Sequence, residues 1–187
     1  IGLLIPTSAG GVISNLAVLM QGKTVVNLNY TASGESLRQA IAHAGIKTII
    51  SSKSFVKKLK IKGNDPSCLF EGLNVCFLED IRAHVSKLRM IMTLLVVNMI
   101  PSFCLRAFYF KNTALDETAA ILFSSGSEGS PKGIKLSHRN IIGNVKQISS
   151  VLNPRDDDVF LNTLPLFHAF GLTVTSLMPL VEGMTFI

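Results

Sequence analysis

The densest concentration of side chains able to do chemistry is the run Ser124-Ser-Gly-Ser-Glu-Gly-Ser-Pro-Lys-Gly133. Gly126, Gly129 and Gly133 can take positive φ and let backbone amides approach an anion closely, Ser124, Ser125, Ser127 and Ser130 offer hydroxyl donors, and Lys132 supplies a point charge. Together these suit a polyphosphate. Glu128 would be repelled by phosphates, so its carboxylate is expected to point outward or toward a divalent cation. The run is not GxxxxGK[ST], because Pro131 and Gly133 flank the lysine, and it is not GxGxxG, because no glycine lies two positions from Gly126. A flexible linker is the usual source of such composition. A linker, however, needs neither a fixed Pro-Lys-Gly ending nor the buried strand expected just before it.

A second candidate is Leu164-Pro-Leu-Phe-His-Ala-Phe-Gly171. His168 stands among aromatic residues, where a lone histidine is more often packed and hydrogen-bonded than catalytic. His138 begins a helical pattern and reads as structural. Asp156, Asp157 and Asp158 cluster in a polar loop that explains them without a metal. Cys68, Cys76 and Cys104 match no zinc or disulfide spacing and read as reduced, half-buried thiols.

The elements that must position these residues follow from periodicity. Strands are expected at 3–5, 24–28 and 47–50, with a helix from Val12 to Met20 closed by Gly22 and another carrying Leu37, Ala40, Ile41 and Ala44 up to Gly45. Strand, helix, strand, helix, strand predicts a parallel sheet with crossover helices. The stretch 52–115 is less regular, with a turn-rich break at 62–66, a strand at 75–78, and one long or two short helices over 79–110 interrupted near Pro101. Order returns with a strand at 119–123, a short strand at 134–136, a helix over 138–152 capped by Ser137, a strand at 159–163, and a helical stretch over 172–181. The fold class is therefore α/β, largely parallel with flanking helices. Three portions are expected: 1–60, an irregular 61–115 with an apolar helix, and 116–187 around the glycine-serine loop.

The chain has 187 residues, enough for one ordinary domain, yet it starts on Ile1 and stops in the apolar run Met184-Thr-Phe-Ile187, so it reads as an excerpt. Hydrophobic residues make up 48% of it, which directs attention to segments that face lipid. Residues 90–105 carry no charge between Arg89 and Arg106, but the run is shorter than the roughly 20 residues of a spanning helix and contains Pro101. A buried or interfacial helix is the expectation. The net charge of +6, with lysines at 53, 57, 58, 60 and 62, suits an anionic membrane surface or an acidic partner. Nucleic acid is excluded as the leading partner, since no aromatic residues interleave a reading motif.

The stretch Ile121 to Ile134 followed by Ser137-His138-Arg-Asn140 closely resembles the signature of the acyl-adenylate-forming superfamily. That superfamily includes acyl-CoA synthetases, luciferases and peptide-synthetase adenylation domains. Residues 164–171 look like its next motif, and Ala17 to Leu37, with Val26-Asn-Leu-Asn29, is similar to its upstream portion. The resemblance implies that the chain is an incomplete N-terminal domain with no complete catalytic set. It implies that Ser124, Ser125, Gly126, Ser127, Glu128, Gly129 and Lys132 bind the phosphates of ATP with Mg²⁺, and that Phe167, His168 and Gly171 border the acyl substrate; metal-binding side chains stay unassigned.

Glu128, where most members carry Thr, and the apolar 90–110 segment resemble a narrower, bifunctional family, acyl-[acyl-carrier-protein] synthetase/2-acylglycerophosphoethanolamine acyltransferase. The implied activity is ATP-dependent activation of a long-chain fatty acid and transfer to acyl carrier protein, with coenzyme A as the alternative acceptor. A lysophospholipid would be used by a domain ahead of residue 1, because no His-x4-Asp pair follows His43, His84, His138 or His168. Peripheral attachment to the cytoplasmic face of a bacterial inner membrane is the implied location, a cytoplasmic one the alternative. A membrane-associated binding module without activity is the reading from a different class.

Overall fold

A computed structural model describes residues 1–124, 131–155 and 157–187. Its frame is a six-stranded sheet in the order β4-β3-β1-β2-β5-β6, formed by β1 (Gly2–Leu4), β2 (Val25–Asn27), β3 (Thr48–Ser51), β4 (Asn74–Phe77), β5 (Thr118–Ser124) and β6 (Lys132–Ser137). The first five strands run parallel, whereas β6 returns antiparallel to β5. The expectation of a mostly parallel sheet is met, and β6 is the departure from it.

Alternation along the strands sends successive residues to opposite faces. Leu3, Val25 and Leu122 pack with Val18 of α1 (Ala9–Met20) and Ile141 of α7 (His138–Leu152). Leu4, Val26 and Ile49 pack on the other side with Leu37 and Ala40 of α2 (Gly34–His43). Both faces are thus covered, as the near-continuous apolar strand sequences require. Ser8, Ser33 and Ser137 cap α1, α2 and α7 through their hydroxyls, and at α7 the Asn140 side chain answers back to complete a capping box.

The middle of the chain is more regular than its sequence suggests. α3 (Lys53–Ile61) occupies part of the stretch read as irregular; its Val56 and Leu59 are buried and Ser52 caps it. α4 (Leu78–His84), α5 (Lys87–Met99) and α6 (Ser102–Tyr109) follow, the last two separated at Pro101 as expected. None of these three helices buries a residue, so the apolar segment is not a core helix among the described residues. The expected strand 159–163 is only β7 (Val159–Phe160), paired parallel with β8 (Thr185–Phe186). Beyond β7 the Asn162 amide still donates to the Ile187 carbonyl at 2.7 Å, and the Asn162 side chain bonds the hydroxyls of Ser176 and Thr175. Those hydroxyls lie in a π-helical turn, Thr173–Leu177, between α8 (Ala169–Leu172) and α9 (Met178–Glu182).

Two carboxylates of α4 reach α3: Asp80 pairs with Lys53, and Glu79 takes the helix start. Glu79 accepts from Ser52 Oγ at 2.8 Å and from the amides of Lys53 at 2.9 Å and Ser54 at 3.2 Å, at the start of α3. Desolvation acts to raise its pKa, but the amide and hydroxyl donors outweigh it and hold the carboxyl at about 2. A depressed carboxylate stabilises the fold above its unfolded pKa and loses that contribution as pH falls through the folded value. Glu79→Gln should therefore lower stability by about 1 kcal/mol at neutral pH, a figure kept small because the group is solvent-screened. In thermal melts the gap to the unsubstituted protein should close between pH 4.5 and about 2; a pH-independent gap would assign the loss to packing.

Candidate functional site

The parallel strands end along one edge, where open α/β sheets place their ligands. β5 delivers Ser124 to that edge, and Ser124 is the register partner of Lys132 in β6. The two flanks are thus held at the roughly 5 Å spacing of paired strands. Ser125, Gly126, Ser127, Glu128 and Gly129, together with Ser130, lie outside the described residues. Ser124 and Lys132 are exposed and offer a hydroxyl and an ammonium to solvent at this edge.

Gly133 does a different job from the one its sequence setting suggests. It lies within β6 and is not among the glycines with positive φ. A Cβ there would come within 3.1 Å of Phe123 Cε1 and 3.3 Å of Ile121 Cγ2. The position is glycine so that the Phe123 ring can lie across the hairpin, not to free an amide.

Residues 164–171 cross the same edge. Thr7, in the turn after β1, donates to the Leu164 carbonyl at 3.1 Å, and Leu166 packs where a Cβ on Gly11 would stand. Phe167 is 5% exposed and meets the Tyr30 ring edge-on at 5.1 Å; Tyr30 meets Phe55 in the same way. Partial burial pushes the Tyr30 phenol pKa up. Phe167 is thus a packed anchor that fixes the loop. His168 is exposed, lies 4.6 Å from the Phe167 ring, and its ring makes no hydrogen bond among the described residues. The backbone turns at the start of α8 and leaves the imidazole on the edge, where it is neither packed nor hydrogen-bonded among the described residues as a lone histidine amid aromatic residues commonly is. Gly171 is buried, and a Cβ on it would sit 2.1 Å from the Pro165 carbonyl oxygen. Its evident role is to admit that carbonyl.

Several residues that set this edge were not singled out by their chemistry. Asn15 in α1 and Asn27 at the end of β2 exchange two amide hydrogen bonds, of 3.1 and 2.8 Å, while nearly fully buried. Asn29 accepts from the Thr31 amide and hydroxyl, which shapes the turn carrying Tyr30. The signal available was the polar pair inside Val26-Asn-Leu-Asn29, polar residues where a buried strand should be apolar. An open groove of about 600 Å³ between β6, α7 and α8 was also unforeseen. Lys135, Arg139, Asn144 and Gln147 line it, and none of the predicted site residues among the described ones does. Arg139 is engaged by Asp116 at 2.7 Å. His138 opens α7, its amide donating to Glu117. Asp158 closes its own turn onto the Arg155 amide, and Asp156 lies outside the described residues.

The donor set of Ser124 and Lys132 fits an anion such as a polyphosphate. Among the described residues no group of three or more His, Cys, Asp or Glu could hold a metal ion.

Comparison with known proteins widens the frame. A family model described as AMP-binding enzyme matches residues 1–187. The chain is 28% identical over 199 residues to 4-coumarate–CoA ligase 1 of Arabidopsis thaliana, covering 97% of this chain and 32% of that protein. It is 44% identical over 55 residues to a chloroplastic long-chain-fatty-acid–[acyl-carrier-protein] ligase of the same plant, 29% of this chain and 8% of that one. The ATP-bound structure of MatB from Rhodopseudomonas palustris superposes with a TM-score of 0.73 at 25% identity, covering 100% of this chain and 34% of that one. The chain therefore spans about a third of the relatives that it matches from end to end.

Proposed function

We propose, from the premise that this chain belongs to the AMP-binding enzyme family, that it is the phosphate-binding part of an acid–thiol ligase which activates a long-chain fatty acid with ATP. The observation that carries the reading is the register pairing of Ser124 with Lys132 at the carboxyl edge of the sheet, in a chain matched over its whole length by that family. In the reaction, a carboxylate oxygen attacks the α-phosphorus of ATP, the bond to the β-phosphate oxygen breaks, and acyl-AMP and pyrophosphate result. A thiol then takes the acyl group and AMP leaves.

Lys132 would neutralise charge on the departing phosphates, and the Ser124 hydroxyl with residues 125–129 would hold them in line. Mg²⁺ would supply further charge neutralisation on the same oxygens. His168, exposed at the edge and steadied by Phe167, would position the acyl carboxylate; Gly171 would act only by setting the loop's path. Residues 1–187 would form an incomplete N-terminal domain, its portions being 1–60, 61–115 and 116–187.

Acyl carrier protein is the proposed acceptor, supported by the relative that carries it in its name. Coenzyme A is the second reading, favoured by the near-complete alignment with a CoA ligase. Recycling of lysophospholipid by a further domain, at the cytoplasmic face of a bacterial inner membrane, belongs to the same proposal. The full-length protein, given a radiolabelled long-chain fatty acid, ATP and Mg²⁺, should label holo-acyl carrier protein. Label on coenzyme A alone would select the second reading, and label on neither thiol would sink both.

A further inference from the structure

The excursion from Ile81 to Leu115 stands apart from everything the site requires. Its two ends are fastened to the body: Glu79 holds the start of α3, and beyond α6 the Lys111 amide donates to the Met20 carbonyl at 2.9 Å. Between those points α5 and α6 bury no residue. More than half of the large apolar side chains that stand exposed among the described residues lie here.

Two features choose the occupant. At about 100° per residue, Met90, Leu94 and Val97 fall on one side of α5 and Leu88, Met92 and Met99 on the opposite side, all of them exposed. A protein partner laid against one side leaves the other wet, whereas immersion covers both. The charge is also one-sided: Arg82, Lys87, Arg89, Arg106 and Lys111 fall within the excursion, and no acidic residue occurs from Ile81 to Leu115. The two carboxylates just before it are engaged, Glu79 at the start of α3 and Asp80 by Lys53. α5 has 13 residues, a length of roughly 20 Å against a hydrocarbon core of about 30 Å, and no helix of the described residues is long and apolar enough to cross a membrane.

We infer that the α5–α6 excursion is an interfacial anchor, dipping its apolar helix into an anionic phospholipid bilayer while its basic residues stay with the headgroups. The inference goes beyond the ligase reading and stands without it, since it uses no residue of the candidate site.

The test uses the full-length protein with its native cysteines, Cys68, Cys76 and Cys104 among them, replaced by serine and an environment-sensitive fluorophore attached at Leu94→Cys, an exposed position, with two vesicle types. Phosphatidylcholine vesicles containing about 30% phosphatidylglycerol should shift its emission to the blue, with pure phosphatidylcholine doing so at least about tenfold more weakly. Arg89→Glu with Arg106→Glu in the same protein should weaken the anionic-vesicle response about tenfold or more. Emission already blue without vesicles would mean that protein covers the helix, and would overturn the anchor. So would an unshifted emission with both vesicle types, or equal responses to the two. Pyrophosphate exchange on the same samples reads the ligase activity separately, so either proposal can fail alone.

Discussion

Lys132→Ala in the full-length enzyme should lower ATP-dependent pyrophosphate exchange by about 10²–10³-fold, the usual effect of removing one preorganised charge from a developing anion. β5 and β6 fix Lys132 opposite Ser124 at the carboxyl edge, and its side chain is exposed, without the packing that would make its loss a folding defect. The melting midpoint should accordingly stay where it is while exchange falls. Exchange within about threefold of the parent would remove Lys132 from the phosphate site, and with it the main support for the role given to the hairpin; P–O bond cleavage would then need its charge neutralised elsewhere.

Gly171→Ala should be the most damaging small substitution among the described residues that cross the candidate edge. The added Cβ would stand 2.1 Å from the Pro165 carbonyl oxygen, 2.8 Å from its carbon and 3.1 Å from the Leu164 oxygen. All three are backbone atoms, so no rotamer change relieves the clash. The segment cannot yield freely, because Leu164 is held by Thr7, the His168 amide donates to Pro165, and the Gly171 carbonyl accepts from the Thr175 and Ser176 hydroxyls. We expect a loss of about 3 kcal/mol or more, read from urea unfolding midpoints. Gly143→Ala in α7 is the control: nothing lies within 4 Å of its Cβ, and it should gain roughly 0.5–1 kcal/mol from helix propensity. Equal stability for Gly171→Ala and the parent would show that the 164–171 path is not fixed as described.

What the sequence made legible were the elements whose signals are local. The first three strands, α1, α2 and the capped α7 declare themselves through a short apolar run or a serine before a 3.6-residue stripe. α3 hid because four of its nine residues are lysine, although Ser52 and the Val56–Leu59 spacing mark it. The direction of β6 was not readable, since a strand's sequence says which face is apolar but not which way its neighbour runs. Nor was the bareness of α5: an apolar run calls for cover and does not say whether protein or lipid provides it. At the candidate site, residue types pointed to a polyphosphate, but the work of Gly133 and Gly171 depends on atoms distant in sequence, the Phe123 ring and the Pro165 carbonyl. Asn27 was visible only as a polar residue in an apolar place.

That residue has a consequence for how this protein can change over generations. Asn15 and Asn27 each supply what the other needs, two bonds across one buried contact. An apolar replacement of Asn15 strands both polar groups of the Asn27 side chain, and one of Asn27 strands the Asn15 side-chain oxygen while the Asn15 amide keeps the Gly11 carbonyl, a loss of about 1–3 kcal/mol in either case, whereas replacing both by a fitted apolar pair can be nearly neutral. The two positions are thus locked together as heritable characters, with viable sequences on either side of a gap that single substitutions must cross at a loss.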